Sequence, residues 1–388
     1  MSERFDVVIV GGAAMGASTA WHLACDLGFA GRVLVLEKDP AYARAATALS
    51  ASSIRRQFSA AINVRVSGYG VALLRDARAR LGIDAAFREG GYLFLATEAG
   101  RETLAANHAV QIAEGADVVW LDPPALAARF PWLALDGIAA GTWGRTGEGW
   151  FDGFGVMQAM RRASREAGVA WRTAEVAAIE ASGGRVRGVR LADGTAIAAG
   201  TVIVTAGTAT PDLLRPFTDL PVRRRKRLIF YIRTPAALPS CPLLIDPTGV
   251  YIRPEGEGFI CGTAPPADAD PDVAEDDFDV TPGFFEERVW PVLAARIPAL
   301  ERLRVERAWA GHYDLNTADH NALVGPVPGV AGLLAACGFS GHGIQQAPAI
   351  GRGLAELAMH GRCVALDLAP LALARLGEGR LVLERSVV

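Results

Sequence analysis

Phe5-Asp6-Val7-Val8-Ile9-Val10-Gly11-Gly12-Ala13-Ala14-Met15-Gly16 is the stretch that decides the fold. The β-branched run at residues 5–10 predicts a short buried parallel strand, and residues 14–27 predict the helix that follows. A glycine-rich turn between such elements exposes N–H groups and the positive end of the helix dipole, which together favour a phosphate. The stretch therefore predicts a dinucleotide-binding turn, in which Ala13 stands where the middle one of three glycines is usual.

Glu37 supports this interpretation, because it closes the next predicted strand at residues 33–36. A carboxylate at this distance along the chain is typical of a group that binds the ribose hydroxyls of a dinucleotide. A second buried strand is predicted at residues 201–206, and it ends in the small residues Ala206 and Gly207. These features predict a nucleotide cofactor, but by themselves they leave open whether it is FAD or NAD.

The pattern of helices and strands in the rest of the sequence predicts an α/β protein (α+β overall), in which a Rossmann-like domain carries an inserted, antiparallel-sheet substrate domain. Helices are predicted at residues 60–81 and 155–168, and short strands with Pro-rich turns between residues 85 and 140. Further strands are predicted at residues 228–232, 249–253 and 259–262, and residues 268–279 are predicted to form an acidic surface loop. We assign residues 1–84, 141–224 and 306–388 to the nucleotide-binding domain, and residues 85–140 and 225–305 to the substrate domain.

Composition excludes several other classes of protein. The net charge of −3 argues against nucleic acid as a partner, and the basic run at residues 223–227 is either a solvated edge or a binding surface. The five cysteines lack CxxC spacing and the six histidines form no ligand pair, so no metal is expected. Without a signal-peptide pattern or an apolar run long enough to cross a bilayer, we expect a cytoplasmic protein with no membrane span.

A second glycine-rich loop near the C-terminus gives the cofactor its identity. The sequence Gly338-Phe339-Ser340-Gly341-His342-Gly343-Ile344-Gln345 follows an apolar run and precedes a predicted helix. It resembles the flavin-facing loop of the D-amino-acid oxidase, glycine oxidase and sarcosine oxidase superfamily. Residues 42–50, 309–319 and 341–348 also resemble the FAD-dependent oxidoreductase-domain proteins, whose mitochondrial members are linked to respiratory complex I assembly.

The resemblance implies that FAD is the cofactor and that the first domain binds it. Pyrophosphate would lie on the first turn, adenosine beside Glu37 and Val176, and the isoalloxazine ring on the C-terminal loop. The implied cofactor-binding residues are Gly11, Gly12, Ala13, Ala14, Met15, Gly16, Glu37, Lys38, Ser50, Ser52, Ser53, Ile54, Arg55, Val176, Ala206, Gly207, Gly311, Gly338, Gly341, His342, Gly343, Ile344 and Gln345.

The chain also departs from its apparent relatives. Gly311 and His312 stand where sarcosine oxidases carry the cysteine that tethers FAD, so a non-covalent FAD is expected. No lysine lies in residues 259–262, where sarcosine oxidases place one near the flavin. Gln345 replaces the lysine that would be a carboxylate anchor.

The resemblance implies oxidation of a C–N bond in an amino acid or a secondary or N-methylated amine, by hydride transfer to flavin. Arginine is the residue of choice for a substrate carboxylate, and the candidates are Arg55 and Arg253. Tyr251, His312 and Tyr313 are expected as polar or aromatic walls. The electron acceptor is left open between O2 and an electron-transfer partner. Two alternatives remain: a flavoprotein with a binding or assembly role, and an NAD-dependent dehydrogenase.

Overall fold

A computed structural model describes residues 3–385, and two large sheets organise them. In the first sheet, parallel strands surround the strand that precedes the glycine-rich turn, as predicted. In spatial order its strands are Leu323–Pro326, Leu333–Cys337, Ala196–Val204, Arg4–Val10, Val33–Glu37 and Ala170–Thr173, with Arg185–Leu191 and Val176–Ser182 added antiparallel beside Ala196–Val204. The mixed α/β class predicted from the sequence is confirmed.

The strands of this sheet are apolar on both sides. One face packs against the helices Ala14–Trp21, Ala61–Arg75 and Gly343–His360. The other face packs against the strands Val176–Ser182 and Arg185–Leu191 and the short helix Thr210–Leu214. The helix after the first turn begins at Ala14, as predicted, and its last turn is π-helical. The helices and helical turns of the described chain are Ala14–Trp21, His22–Asp26, Ala46–Leu49, Ala61–Arg75, Ala77–Leu81, Glu98–Ala113, Pro123–Arg129, Gly153–Glu166, Gly207–Ala209, Thr210–Leu214, Ala267–Ala269, Phe285–Val289, Trp290–Arg296, Pro298–Glu301, Gly343–His360, Ala369–Leu371 and Ala374–Gly377.

The second sheet is largely antiparallel, as the sequence predicts for the substrate domain. In spatial order its strands are Arg304–Asn316, Val222–Arg233, Gly258–Thr263, Tyr251–Glu255, Leu243–Ile245, Tyr92–Ala96, Ala140–Gly144 and Val118–Leu121. One face buries Phe230 and Ile252 against Phe285 and Leu293 of the helical segment that follows. Because side chains alternate along a strand, the other face turns toward the first domain. A short pairing of Ser53–Ile54 with Gly149–Trp150 lies outside both sheets.

The structure differs from the sequence-based prediction between residues 85 and 140. Glu98–Ala113 is a long helix there, where the sequence suggested only short strands and turns. Its buried residues are the polar Asn107 and Gln111, so no apolar stripe marks it in the sequence. The prolines at 123 and 124 also begin a helix, capped by the Asp122 side chain, which accepts the N–H of Ala125.

The predicted domain boundaries remain a prediction, but three of them meet strands of the second sheet. Residues 141, 225 and 306 fall inside Ala140–Gly144, Val222–Arg233 and Arg304–Asn316. The last of these strands runs from the second sheet to the C-terminal loop, so it links the two parts of the molecule. Its end is held by a fully buried ion pair, in which Arg375 Nη2 lies 2.9 Å from Asp319 Oδ1.

Candidate active site

The first glycine-rich turn has the geometry of a phosphate cradle. Gly11 has φ 93°, and a Cβ added there would lie 2.5 Å from the carbonyl oxygen of Thr205. A Cβ at Gly16 would lie 1.9 Å from the carbonyl oxygen of Gly11. Both positions therefore require glycine. Ala13 does not, because its backbone is extended with φ −71°, so the departure from the usual middle glycine is accommodated by the backbone.

Glu37 lies at the carboxyl end of its strand and braces this turn. Its Oε2 accepts the N–H of Gly12 at 2.8 Å, and its Oε1 accepts the N–H of Asp39 at 2.9 Å. Gly12 packs closely here, because a Cβ would lie 2.6 Å from the ring of Trp171. The neighbouring Lys38 forms an ion pair with Glu275.

The C-terminal loop is anchored by the strand Arg304–Asn316. Asp314 Oδ2 accepts the N–H groups of Gly338 at 2.8 Å and of Phe339 at 3.2 Å. The Tyr313 hydroxyl donates to the carbonyl oxygen of Ser340 at 2.5 Å. Burial raises the pKa of Asp314 to about 6, although the two N–H groups act in the opposite direction. These contacts hold the loop at the start of the helix Gly343–His360.

Both loops line one cavity of about 970 Å3, at the upper end of the usual size of ligand pockets. It lies at the carboxyl ends of the parallel strands, where open α/β sheets bind ligands. The sequence-predicted residues that line it are Gly11, Ala13, Ala14, Met15, Glu37, Lys38, Ser50, Ser52, Ser53, Arg55, Val176, Ala206, Gly207, Tyr251, Gly311, His312, Tyr313, Gly341, His342, Gly343, Ile344 and Gln345. Those that lie outside the lining are Gly12, Gly16, Ile54, Gly338 and Arg253.

Arg55 is the buried cation of this cavity, with an exposed fraction of 3%. Its backbone N–H donates to Gln345 Oε1 at 2.9 Å, and its Nη2 lies 3.0 Å from His342 Nε2. Burial, with Arg55 beside it, lowers the pKa of His342 well below its ordinary value. The imidazole is therefore neutral and accepts a hydrogen bond from the guanidinium.

The residues predicted as polar or aromatic walls, Tyr251, His312 and Tyr313, line the cavity. Burial raises the pKa of the Tyr251 and Tyr313 phenols, so both are neutral at physiological pH. His312 Nε2 lies 2.9 Å from the carbonyl oxygen of Asp277, and its ring stacks on Phe278 at 4.1 Å. Burial lowers the pKa of His312.

The contacts of Arg253 do not support the predicted role of this residue in binding a carboxylate. Its Nη2 donates to the carbonyl oxygen of Ala51 at 2.6 Å, and its Nη1 to that of Pro254 at 2.8 Å. The same guanidinium pairs with Glu255. Arg253 thus ties the second sheet to the segment that carries Arg55, and it contributes no surface to the cavity.

The acidic loop at residues 268–279 and the basic run at residues 223–227 form ion pairs with each other. Arg227 binds Asp270 through two hydrogen bonds of 2.8 and 2.9 Å, and Lys226 Nζ lies 2.6 Å from Asp277. We call residues 268–279 the acidic cover, because Glu275 and Phe278 within it line the cavity. The opposite charges of the two segments were visible in the sequence, but their pairing was not.

Comparison with known proteins identifies the family. Residues 6–357 match a family model described as "DAO: FAD dependent oxidoreductase". The chain belongs to this family of FAD-dependent oxidoreductases. Membership decides for FAD over the nicotinamide alternative, and the two glycine-rich loops that line one cavity fit such a dinucleotide.

Individual members of the DAO family resemble the whole chain. FAD-dependent oxidoreductase domain-containing protein 1 of Xenopus laevis is 38% identical over 427 residues, which cover 100% of this chain and 85% of that protein. Glycine oxidase of Geobacillus kaustophilus is 28% identical, over 97% of this chain and 98% of its own. The crystal structure of L-proline dehydrogenase from P. horikoshii has a TM-score of 0.86 at 26% identity, over 98% of this chain and 100% of that one.

The structural relatives confirm the Rossmann-like fold. Glycine oxidase from Geobacillus kaustophilus superposes with a TM-score of 0.81 at 25% identity, over 96% of this chain and 99% of that chain. Among residues 3–385, the helices are all too short or too polar to span a membrane.

Proposed function

We propose that this DAO-family protein oxidises the C–N bond of an amino acid, or of a secondary or N-methylated amine, with non-covalently bound FAD. The observation that carries the proposal is the buried guanidinium of Arg55 in the cavity, beside the C-terminal loop. A cation in such a place favours a ligand with a carboxylate. The relatives named glycine oxidase and L-proline dehydrogenase, which act on amino acids, support the same substrate class.

The proposed cofactor contacts follow from the two loops. Gly11, Ala13 and Ala14 would face the pyrophosphate at the helix N-terminus, and Glu37 would face the adenosine. Residues 341–345 would face the flavin ring. When bound, FAD supplies the two-electron acceptor for the hydride that leaves the substrate carbon.

Non-covalent attachment is supported by the side chains of the cavity. Within the described part of the chain, no cysteine is among the lining residues. The lining histidines are both engaged, since His312 contacts the Asp277 carbonyl and His342 contacts Arg55.

The chain's own residues would bind and orient the substrate. Arg55 would bind the carboxylate and thereby fix the adjacent carbon. Neutral His342 would hold the guanidinium in place without competing for its charge. Because the cavity wall offers phenols and aliphatic side chains, it would exclude water and favour the neutral amine, which is the form that can lose a hydride.

An anaerobic titration tests the proposal. FAD-loaded protein is mixed with glycine, sarcosine, dimethylglycine, proline and D-amino acids while the visible absorbance of the flavin is followed. Bleaching by one of them supports an amine oxidoreductase, and readmission of air then separates O2 from another electron acceptor. If dithionite bleaches the flavin and every amine leaves it oxidised, the proposal fails and a binding or assembly role becomes the better account.

Arg55→Lys is the matched variant for the carboxylate contact. Lysine keeps the charge but loses the two-pronged geometry, so we expect KM to rise by about 10- to 100-fold. Arg56→Lys is the control, because Arg56 lies outside the cavity and donates to the carbonyl oxygens of Glu114 and Gly115. Equal KM values in the two variants would remove Arg55 from the substrate site.

A further inference from the structure

A row of side chains crosses the second sheet at the cavity. Ile229 pairs with Gly262, Gly262 with Tyr251, Tyr251 with Ile245, and Ile245 with Phe94. In the adjacent row, Leu243 pairs with Tyr92. We call the cavity-lining members of these rows the apolar wall; they are Tyr92, Ile229, Leu243, Ile245 and Tyr251.

Gly262 shapes the wall by leaving a gap in the row. A Cβ at this position would lie 3.0 Å from the Tyr251 hydroxyl and 2.6 Å from the carbonyl oxygen of Leu228. The Tyr251 ring therefore lies over the backbone of the neighbouring strand. This arrangement closes the wall between Ile229 and Ile245.

Arg55 stands at one end of the wall. Its guanidinium lies 5.1 Å from the centre of the Phe94 ring, and Phe94 packs in one cluster with Tyr92, Leu243, Ile245 and Tyr251. A carboxylate bound to Arg55 would place the substituent on the neighbouring carbon against this cluster.

The other charged residues that line the cavity either contact groups other than the wall or lie in segments near the first sheet. Arg227 and Glu275 pair with Asp270 and Lys38 at the acidic cover, and Asp314 binds the N–H groups of the C-terminal loop. The rest belong to segments that follow strands of the first sheet; they are Glu37, Asp39, Arg44, Glu175 and Asp212. Arg227 also lies near the wall, two residues before Ile229 on the same face of its strand, but Asp270 neutralises its guanidinium. At the other end of the wall, Arg55 is the charged lining residue that contacts Phe94.

We infer that the cavity selects monocarboxylic substrates with an apolar side chain and rejects dicarboxylic and diamino acids. A second charge against the wall would lose its water and meet only the neutral hydroxyls of Tyr92 and Tyr251, and burial of a charge with no opposite charge beside it is strongly unfavourable. The inference rests on the proposed function for the identity of the reaction. Its selectivity, however, is a property of the wall and can be measured by binding alone.

The binding test uses pentanoate and glutarate, which have the same number of carbons but one and two carboxylates. Each is titrated into FAD-loaded protein, and the perturbation of the flavin's visible spectrum gives Kd. We expect pentanoate to bind at least about 30-fold more tightly, because one unpaired charge is left on glutarate. Equal affinities, or a preference for glutarate, would overturn the inference.

A second test measures the reaction itself. The rate of anaerobic flavin reduction is compared between two apolar substrates, proline and N-methylleucine, and two dicarboxylates, iminodiacetate and N-methylaspartate. Faster reduction by the apolar pair supports the inference. Comparable reduction by the dicarboxylates overturns it and leaves the proposed amine oxidation intact. If pentanoate is preferred yet every amine leaves the flavin oxidised, the selectivity stands and the proposed reaction falls.

Ile245→Arg tests the wall directly, because it supplies a partner for a second carboxylate next to Tyr251. The pentanoate preference is expected to fall by about 10-fold or more, while Ile245→Leu, which keeps the volume, retains it. Should the arginine variant not fold, Ile245→Ala widens the same wall and is expected to favour heptanoate over pentanoate by about 10-fold relative to the unmodified protein. An unchanged preference in Ile245→Ala would also overturn the inference.

Discussion

Replacing Asp270 with Asn should loosen the acidic cover and accelerate the release of FAD. The Arg227–Asp270 pair has two bonds of 2.8 and 2.9 Å between side chains that are 17% and 10% exposed. Hydrogen bonds to charged groups contribute roughly 1.5–3 kcal/mol, and exposed pairs contribute less. For this partly exposed pair we take about 2 kcal/mol, which corresponds to roughly 30-fold in the opening equilibrium. If FAD leaves through the opened cover, its dissociation rate rises by the same factor.

The assay follows the rise in flavin fluorescence as FAD leaves the protein. FAD-loaded protein is diluted into an excess of a non-fluorescent competitor for the FAD site, and the rate is compared between the unmodified protein and each variant. Asp272→Asn is the matched control, because Asp272 lies 3.4 Å from Arg225 and is 56% exposed. Its effect should stay below about fivefold. High salt should accelerate release from the unmodified protein more than from Asp270→Asn, since about 1 M salt screens charges beyond roughly 3 Å. Similar rates for the two variants would refute the role of the cover.

Three further results are expected. Acid precipitation should leave the flavin in the supernatant, and flavin retained on the denatured chain would contradict non-covalent binding. Gly16→Ala should yield protein that is purified without FAD, since the added Cβ would lie 1.9 Å from the Gly11 carbonyl oxygen, whereas Ala13→Gly should retain it; this is read from the flavin-to-protein absorbance ratio. Burial raises the pKa of Glu148 from 4.5 to about 7, so the folded state holds a proton that the unfolded state has released between these values. Stability should therefore fall as pH rises through this window, by up to about 3 kcal/mol, and Glu148→Gln should flatten the change in urea midpoint; an unaltered slope would count against it.

Local patterns made much of the fold predictable. The first turn was recognisable because a buried strand, a glycine-rich turn and a helix are adjacent in the chain, and the physical demands on Gly11 and Gly16 arise within that unit. The C-terminal loop is equally local, since its strand and helix flank it directly. The helix Glu98–Ala113 was not predictable in this way, because its buried side chains are polar and leave no apolar periodicity.

The substrate side of the cavity could be predicted only in part. Arg55 and Arg253 were equivalent candidates in the sequence, since arginine is the residue of choice for a carboxylate and nothing in the sequence distinguished the two. The fold distinguishes them: Arg55 lines the cavity, whereas Arg253 donates hydrogen bonds to the backbone carbonyl oxygens of Ala51 and Pro254. Which acceptor a guanidinium meets depends on residues far away in the chain, as the separation of 202 positions between Arg253 and Ala51 illustrates.

The sequence by itself determined the family, the cofactor class and the positions of the two loops, because each depends on neighbours along the chain. Only the tertiary structure decided that the basic run binds the acidic cover, and that Ile229, Tyr251 and Ile245 form one wall. Those arrangements arise from strand register and from ion pairs between distant segments. Register is set when the whole sheet packs, since a slip by one residue would turn every side chain to the opposite face.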